Sequence, residues 1–152
     1  MIGYLTIRQR VNKWLLVSLL IMVALPVTSF AEPVELHAWS DEVFQKGKDE
    51  NKLILLDLVA DWCQFCIKME ETTYKDESVT STLNKGYLVV KADEADYPEL
   101  AEKYKNDGRP TTVIFNPDGT QIIKRVGYIK PQWMNWMLQA IAQNPTSKTG
   151  QL

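Results

Sequence analysis

Cys63 and Cys66 are the only cysteines of this 152-residue chain, and they stand three positions apart in Cys63-Gln64-Phe65-Cys66. Thiols at that spacing have few uses. A disulfide closing so short a loop removes only about 2 kcal/mol from the unfolded chain, against roughly 4.7 kcal/mol for a loop of about 100 residues, so stapling is a poor reason to have the pair. Half of a zinc site has the same spacing, but there is no second cysteine pair and His37 is the only histidine, so no zinc site is expected from this chain alone. Covalent haem needs a histidine directly after the second cysteine, where Ile67 stands. What remains is thiol–disulfide exchange, in which one cysteine attacks and the other resolves.

That chemistry depends on what holds the two sulfurs. Residues 53–59, Leu-Ile-Leu-Leu-Asp-Leu-Val, form a near-continuous apolar run of strand length, the pattern of a central strand covered on both faces. Residues 67–71 have helix-compatible composition, so the pair falls at a strand-to-helix junction with Cys63 at the helix N-terminus. There the helix dipole and unpaired backbone N–H groups favour the thiolate and lower its pKa. This makes Cys63 the more exposed and more acidic nucleophile, and Cys66, one turn inward, the resolver.

The remaining elements follow from local signals. Ser40 predicts the cap of a helix over 41–50, with Asp41 and Glu42 in its first turn. Asp76 caps a short helix containing Val79 and Leu83 that ends near Gly86, and residues 87–92 read as a second buried strand. Pro98 and Gly108 bracket a helix over 98–105. Residues 111–115 and 121–126 flank the turn Asn116-Pro117-Asp118-Gly119 and predict a hairpin. Trp133, Trp136, Met137, Ala140 and Ile141 recur at helical spacing and predict the core stripe of a final helix. Helix–strand alternation ending in a hairpin gives one α/β domain, a mixed central sheet with helices on both faces.

On these residues a family resemblance becomes specific. The segment Asp57-Leu58-Val59-Ala60-Asp61-Trp62-Cys63-Gln64-Phe65-Cys66 resembles the active-site strand and turn of the thioredoxin family, where a buried acid lies six residues before the first cysteine and tryptophan directly precedes it. Gly108-Arg109-Pro110-Thr111 resembles the family's Gly-x-Pro-Thr loop, and Lys91, nineteen residues before Pro110, matches the lysine beside the buried acid. With Glu70 four residues after Cys66, the motif is most similar to the periplasmic C-terminal domain of the DsbD electron transporter.

The resemblance implies a thioredoxin-like fold, a cis Pro110 facing the cysteines, and reduction of protein disulfides. Asp57 then moves a proton to or from Cys66 with Lys91 tuning it, or is simply held in a salt bridge with Lys91. Pro110 and Thr111 belong to a loop that holds an extended substrate segment. Arg109 either points along that groove, favouring acidic substrates, or faces solvent without a role. Trp62 packs to shape the site, Phe65 offers an apolar contact, and Glu70 serves proton transfer or docking, or is plain surface. Asp93, Glu94 and Asp96 read as a solvated acidic loop. Departures from the family leave the redox potential and direction open: Gln64-Phe65 is neither thioredoxin's Gly-Pro nor the Pro-His of the oxidant DsbA, and Arg109 replaces an apolar residue. A disulfide oxidase or isomerase, or a redox-sensitive binding module without turnover, are the alternatives. No cofactor is expected. A membrane electron donor of the DsbD type is implied by the resemblance, and a monomer is expected.

Arg8, Arg10 and Lys13 precede an uncharged run over 14–25, and Ser29 and Ala31 place small residues at a cleavage site. This predicts a signal peptide over 1–31 and a periplasmic protein. An uncleaved anchor is the alternative, although about 12 apolar residues fall short of the roughly 20 that span a bilayer. The domain then covers 32–143 and a disordered tail 144–152. After the leader, 14 basic residues face 19 acidic ones, a net charge of −5 with no basic cluster, so nucleic acid is not an expected partner.

Overall fold

The computed structural model describes residues 32–145, and the expected leader and residues 146–152 of the expected tail lie outside the described residues. In chain order the elements are β1 (Leu36–His37), α1 (Asp41–Glu50), β2 (Leu53–Val59), α2 (Gln64–Thr72), α3 (Glu77–Gly86), β3 (Tyr87–Asp93), α4 (Pro98–Lys103), β4 (Thr111–Phe115), β5 (Gln121–Val126) and α5 (Pro131–Gln143). They build a five-stranded sheet of order β1-β3-β2-β4-β5. β1, β3 and β2 are parallel, β4 is antiparallel to β2, and β5 is antiparallel to β4. This is the mixed sheet expected from the sequence.

All seven residues of β2 are buried, because side chains alternate between two faces and both are covered. On one face Leu53 and Leu55 pack with Met69 of α2, Leu83 of α3 and Leu138 of α5. On the other, Ile54, Leu56 and Leu58 pack with Val43 of α1, Leu100 of α4 and Phe115. Asp57 falls on the first face, the one acid in a strand otherwise made of Leu, Ile and Val.

Four details differ from the sequence expectations. β1 was not foreseen: two residues carry no periodic signal and become a strand only by pairing with the edge of β3, Leu36 with Val89 and His37 with Val90. Ser40 stands at the N-cap of α1 but makes no side-chain capping bond. α4 stops at Lys103 because Tyr104 leaves the helical region, with φ −114° and ψ 26°. The core stripe of α5 is Met134, Leu138 and Ile141, whereas Trp133 and Trp136 are 60% and 51% exposed and Ala140 is also exposed. Two overlapping stripes satisfy the same period and share Ile141. Burial of Met134, Leu138 and Ile141 in the core turns both indoles outward, and Thr82 Oγ1 of α3 donates to Asn135 Oδ1 at 2.7 Å in the same arrangement.

Asp76 caps α3 as expected, accepting from the backbone N–H of Ser78 at 3.0 Å and of Val79 at 3.3 Å. These bonds and the Ser78 hydroxyl hold its carboxyl below the usual carboxylate range. Asp76→Ala is expected to cost about 1 kcal/mol in urea unfolding at pH 7. A carboxylate with a depressed folded pKa stabilises above its unfolded pKa of about 3.9, so the difference between variant and wild type shrinks as pH falls below about 4.

Candidate active site

Cys63 is the N-cap of α2, and it is joined to Cys66 by a disulfide with the two Cα atoms 5.2 Å apart. The Cys63 Sγ accepts the backbone N–H of Cys66 at 3.0 Å. The Cys63 carbonyl accepts from the N–H groups of Cys66 and Ile67 at 3.1 and 3.3 Å. One sulfur therefore sits among the free N–H groups at a helix start, where negative charge is stabilised. The expected greater exposure of Cys63 is not found. In the disulfide form Cys63 is 3% and Cys66 8% exposed, packed with Val59 and Ala60. What distinguishes the two sulfurs here is the helix terminus and not access.

Asp57 and Val59 share a face of β2, so the acid lies beneath the residue that packs on the cysteines. Sheet register sets Lys91 of β3 and Thr112 of β4 on either side of Asp57. Burial raises the Asp57 pKa to about 7, although the positive charge of Lys91 and the nearby Tyr74 hydroxyl pull it down. Asp57 Oδ1, Tyr74 Oη and Thr112 Oγ1 are all buried without a hydrogen-bond partner. An Asp57–Lys91 salt bridge does not form. The lysine ammonium instead pairs with Glu70 at 2.7 Å, on a side that is open to solvent. That carboxylate satisfies the ammonium where water reaches both, and the acid beneath it is left near neutrality in its proton affinity. Glu70 is thus a solvent-exposed surface carboxylate, as one of its two readings expected, and is partnered there by Lys91.

In the loop before β4 the backbone at Pro110 agrees with expectation and the Arg109 side chain does not. The Arg109–Pro110 peptide is cis. The Pro110 carbonyl accepts from Gly127 N–H at 2.7 Å, and the buried Thr111 hydroxyl donates to the Gly108 carbonyl at 2.6 Å. The Arg109 side chain points neither along a groove nor to solvent, being only 3% exposed. Its Nη1 donates to the carbonyls of Tyr104, Asp107 and Gly108 at 3.3, 3.0 and 3.4 Å, and its Nη2 pairs with Glu94 Oε2 at 2.8 Å. The irregular segment between α4 and β4 turns these carbonyls toward one point, and a guanidinium supplies several donors there in one plane.

Glu94 is accordingly not part of a solvated acidic loop. Its other oxygen accepts the indole N–H of Trp62 at 3.2 Å. Trp62 does not pack into the site as expected, because it is 70% exposed, and Phe65 is exposed as anticipated. Sequence reasoning missed Tyr74 and Thr112 and gave Glu94 to solvent. Only the β2–β4 register could have pointed to Thr112, and nothing local marks the other two.

The Thioredox_DsbH family model, described as "Protein of unknown function, DUF255", matches residues 26–144. The thiol:disulfide interchange protein DsbD of Colwellia psychrerythraea (strain 34H) is 32% identical over 108 residues, 67% of this chain and 18% of that protein. Spermatogenesis-associated protein 20 of Mus musculus is 33% identical over 72 residues, 47% of this chain and 9% of that protein. The chain therefore spans less than a fifth of the length of either relative. A thioredoxin from Thermus thermophilus superposes with a TM-score of 0.64 at 16% identity, covering 72% of this chain and 88% of the other, which shows the thioredoxin fold. Since the family match takes in every strand and helix from β1 to α5, this chain belongs to the Thioredox_DsbH family and is a thioredoxin-like protein resembling DsbD.

Proposed function

We propose that this chain is a thiol-disulfide oxidoreductase that reduces protein disulfides in the periplasm after export. The observation that carries the reading is the Cys63 Sγ at the head of α2, accepting the Cys66 N–H at 3.0 Å. In the reduced protein that N–H faces a thiolate. The Cys63 thiolate attacks one sulfur of a substrate disulfide, forming a mixed disulfide and releasing the other substrate sulfur as a thiolate. Cys66 then gives up its proton and attacks the Cys63 sulfur, so that the second substrate thiolate leaves and the enzyme disulfide forms. Two electrons pass from the pair to the substrate.

Asp57, with a pKa of about 7, is suited to take the Cys66 proton in that second step. Pro110 and the backbone before it hold an extended substrate segment, with Trp62 and Phe65 as exposed apolar contacts beside it. Thr111, expected to share this role, is fully buried and paired with Leu58 and Val126, so it supports the loop from within. The resemblance to DsbD supports the periplasmic location and a membrane donor that returns the electrons.

The test is turnover of insulin disulfides by the purified residues 32–152 with dithiothreitol as donor, together with the equilibrium potential of the pair. Catalysed reduction and a potential of about −200 to −270 mV are expected. A potential near −120 mV would assign the protein to oxidation instead. No catalysis in either direction would leave a binding module.

A further inference from the structure

Three chain segments meet at the carboxyl end of the parallel strands. Trp62 follows β2 and directly precedes Cys63. Thr111 pairs with Leu58, so Pro110 and Arg109 arrive alongside the end of β2. The N–H of Glu94, just past β3, donates to the Val59 carbonyl at 3.0 Å and brings its side chain to the same place. One carboxylate then serves both neighbours: Oε1 takes the Trp62 indole N–H at 3.2 Å and Oε2 takes Arg109 at 2.8 Å.

We propose that Glu94 is a positioning residue that locks Trp62 and the Arg109–Pro110 loop into a single binding lip for polypeptide disulfides beside Cys63. The proposal rests on the reductase reading and deepens it. Arg109 acts inward: by tying down three carbonyls of the 104–108 segment it fixes the backbone that leads into Pro110. Trp62 acts outward. An indole that is 70% exposed can sample several rotamers unless something holds it, and its N–H is bonded to Glu94. Holding both surfaces before a substrate arrives removes ordering entropy from the binding step. The sulfur chemistry itself does not use this lip, so a small disulfide that touches little besides Cys63 gains less from it. The device therefore discriminates by substrate size and not by substrate charge, since the guanidinium is already neutralised and enclosed.

Two variants separate this role from a loss of folding. Glu94→Gln keeps an acceptor for the indole but removes the charge facing Arg109. Glu94→Gln combined with Arg109→Met also removes the cation that the single change would strand. Kinetics are measured with insulin and with bis(2-hydroxyethyl) disulfide on the same preparations. For insulin, KM is expected to rise about 10- to 100-fold in both variants. The loss of kcat/KM for insulin should exceed that for the small disulfide by at least about tenfold, or about 1.4 kcal/mol.

A second readout is the indole N–H resonance of Trp62 in nitrogen-15 NMR spectra, assigned with Trp62→Phe. It should shift in Arg109→Met, because Arg109 holds the carboxylate to which the indole is bonded. Equal losses on both disulfides in both variants, or no loss at all, overturn the proposal, as does a Trp62 resonance that ignores Arg109→Met. If wild type reduces no polypeptide disulfide, the reductase reading fails, and the resonance alone then decides whether the tie exists.

Discussion

Cys66→Ala is expected to stop turnover at its midpoint and to accumulate a mixed disulfide through Cys63, at about one substrate per protein. Attack by Cys63 needs only a thiolate at the head of α2, and the Cys66 backbone N–H that stabilises it at 3.0 Å survives the substitution. Release needs a second thiol within bonding reach, and Cys66 is the other cysteine of the chain. Cys63→Ala should lose both turnover and trapping. Mass spectrometry of the protein after exposure to a peptide disulfide distinguishes the two variants. Alkylation of reduced wild type at pH 7 should label Cys63 first, although its exposure in the disulfide is the smaller of the two. Labelling of Cys66 first, or trapping by Cys63→Ala, would reverse the assignment.

Asp57→Asn should make the protein more stable at pH 8 while slowing its resolving step. The Asp57 carboxyl has a pKa of about 7 in the folded protein, raised from 3.8 by burial. Between those values the native state holds a proton that the unfolded chain has lost, so stability falls as pH rises from about 4 to about 7 and is level above that. The full difference corresponds to about 4 kcal/mol at 1.36 kcal/mol for each pH unit. Asparagine has no proton to lose. Urea unfolding from pH 4 to pH 8 should therefore show a falling curve for wild type and a flatter one for the variant, with the gap widest above pH 7. The wild-type rate of mixed-disulfide resolution should rise through an inflection near pH 7 as Asp57 becomes a base, and the variant should lack that inflection. Parallel unfolding curves would show that Asp57 does not titrate abnormally. An unchanged rate profile would remove it from proton transfer.

These two expectations rest on residues that the sequence already singled out. Cys63, Cys66 and Asp57 lie within ten positions of one another, on a strand and the turn after it, so local signals suffice to place them. The bounds of β2, β4 and β5 were legible for the same reason: apolar runs of strand length broken by Asn, Pro, Asp and Gly have little choice of conformation. Asp76 was readable as a cap because its partners, Ser78 and Val79, are its near neighbours.

Arg109 shows where that legibility ends. As a residue type it suits a solvent-facing or anion-binding position, and nothing beside it in the chain says otherwise. Its orientation is decided by the carbonyls of Tyr104, Asp107 and Gly108 in the segment after α4 and by Glu94, fifteen residues earlier on another strand's exit. The α5 tryptophans are a second case, because two stripes of the same period compete and packing against the rest of the core chooses between them. The sequence by itself thus determined which elements form, β1 apart, and which two sulfurs stand together, since dihedral preference and burial period act over a few residues. The tertiary structure alone decided which side chains face the disulfide and which hold its surroundings, because a charged or aromatic side chain goes where distant backbone groups and partners satisfy it.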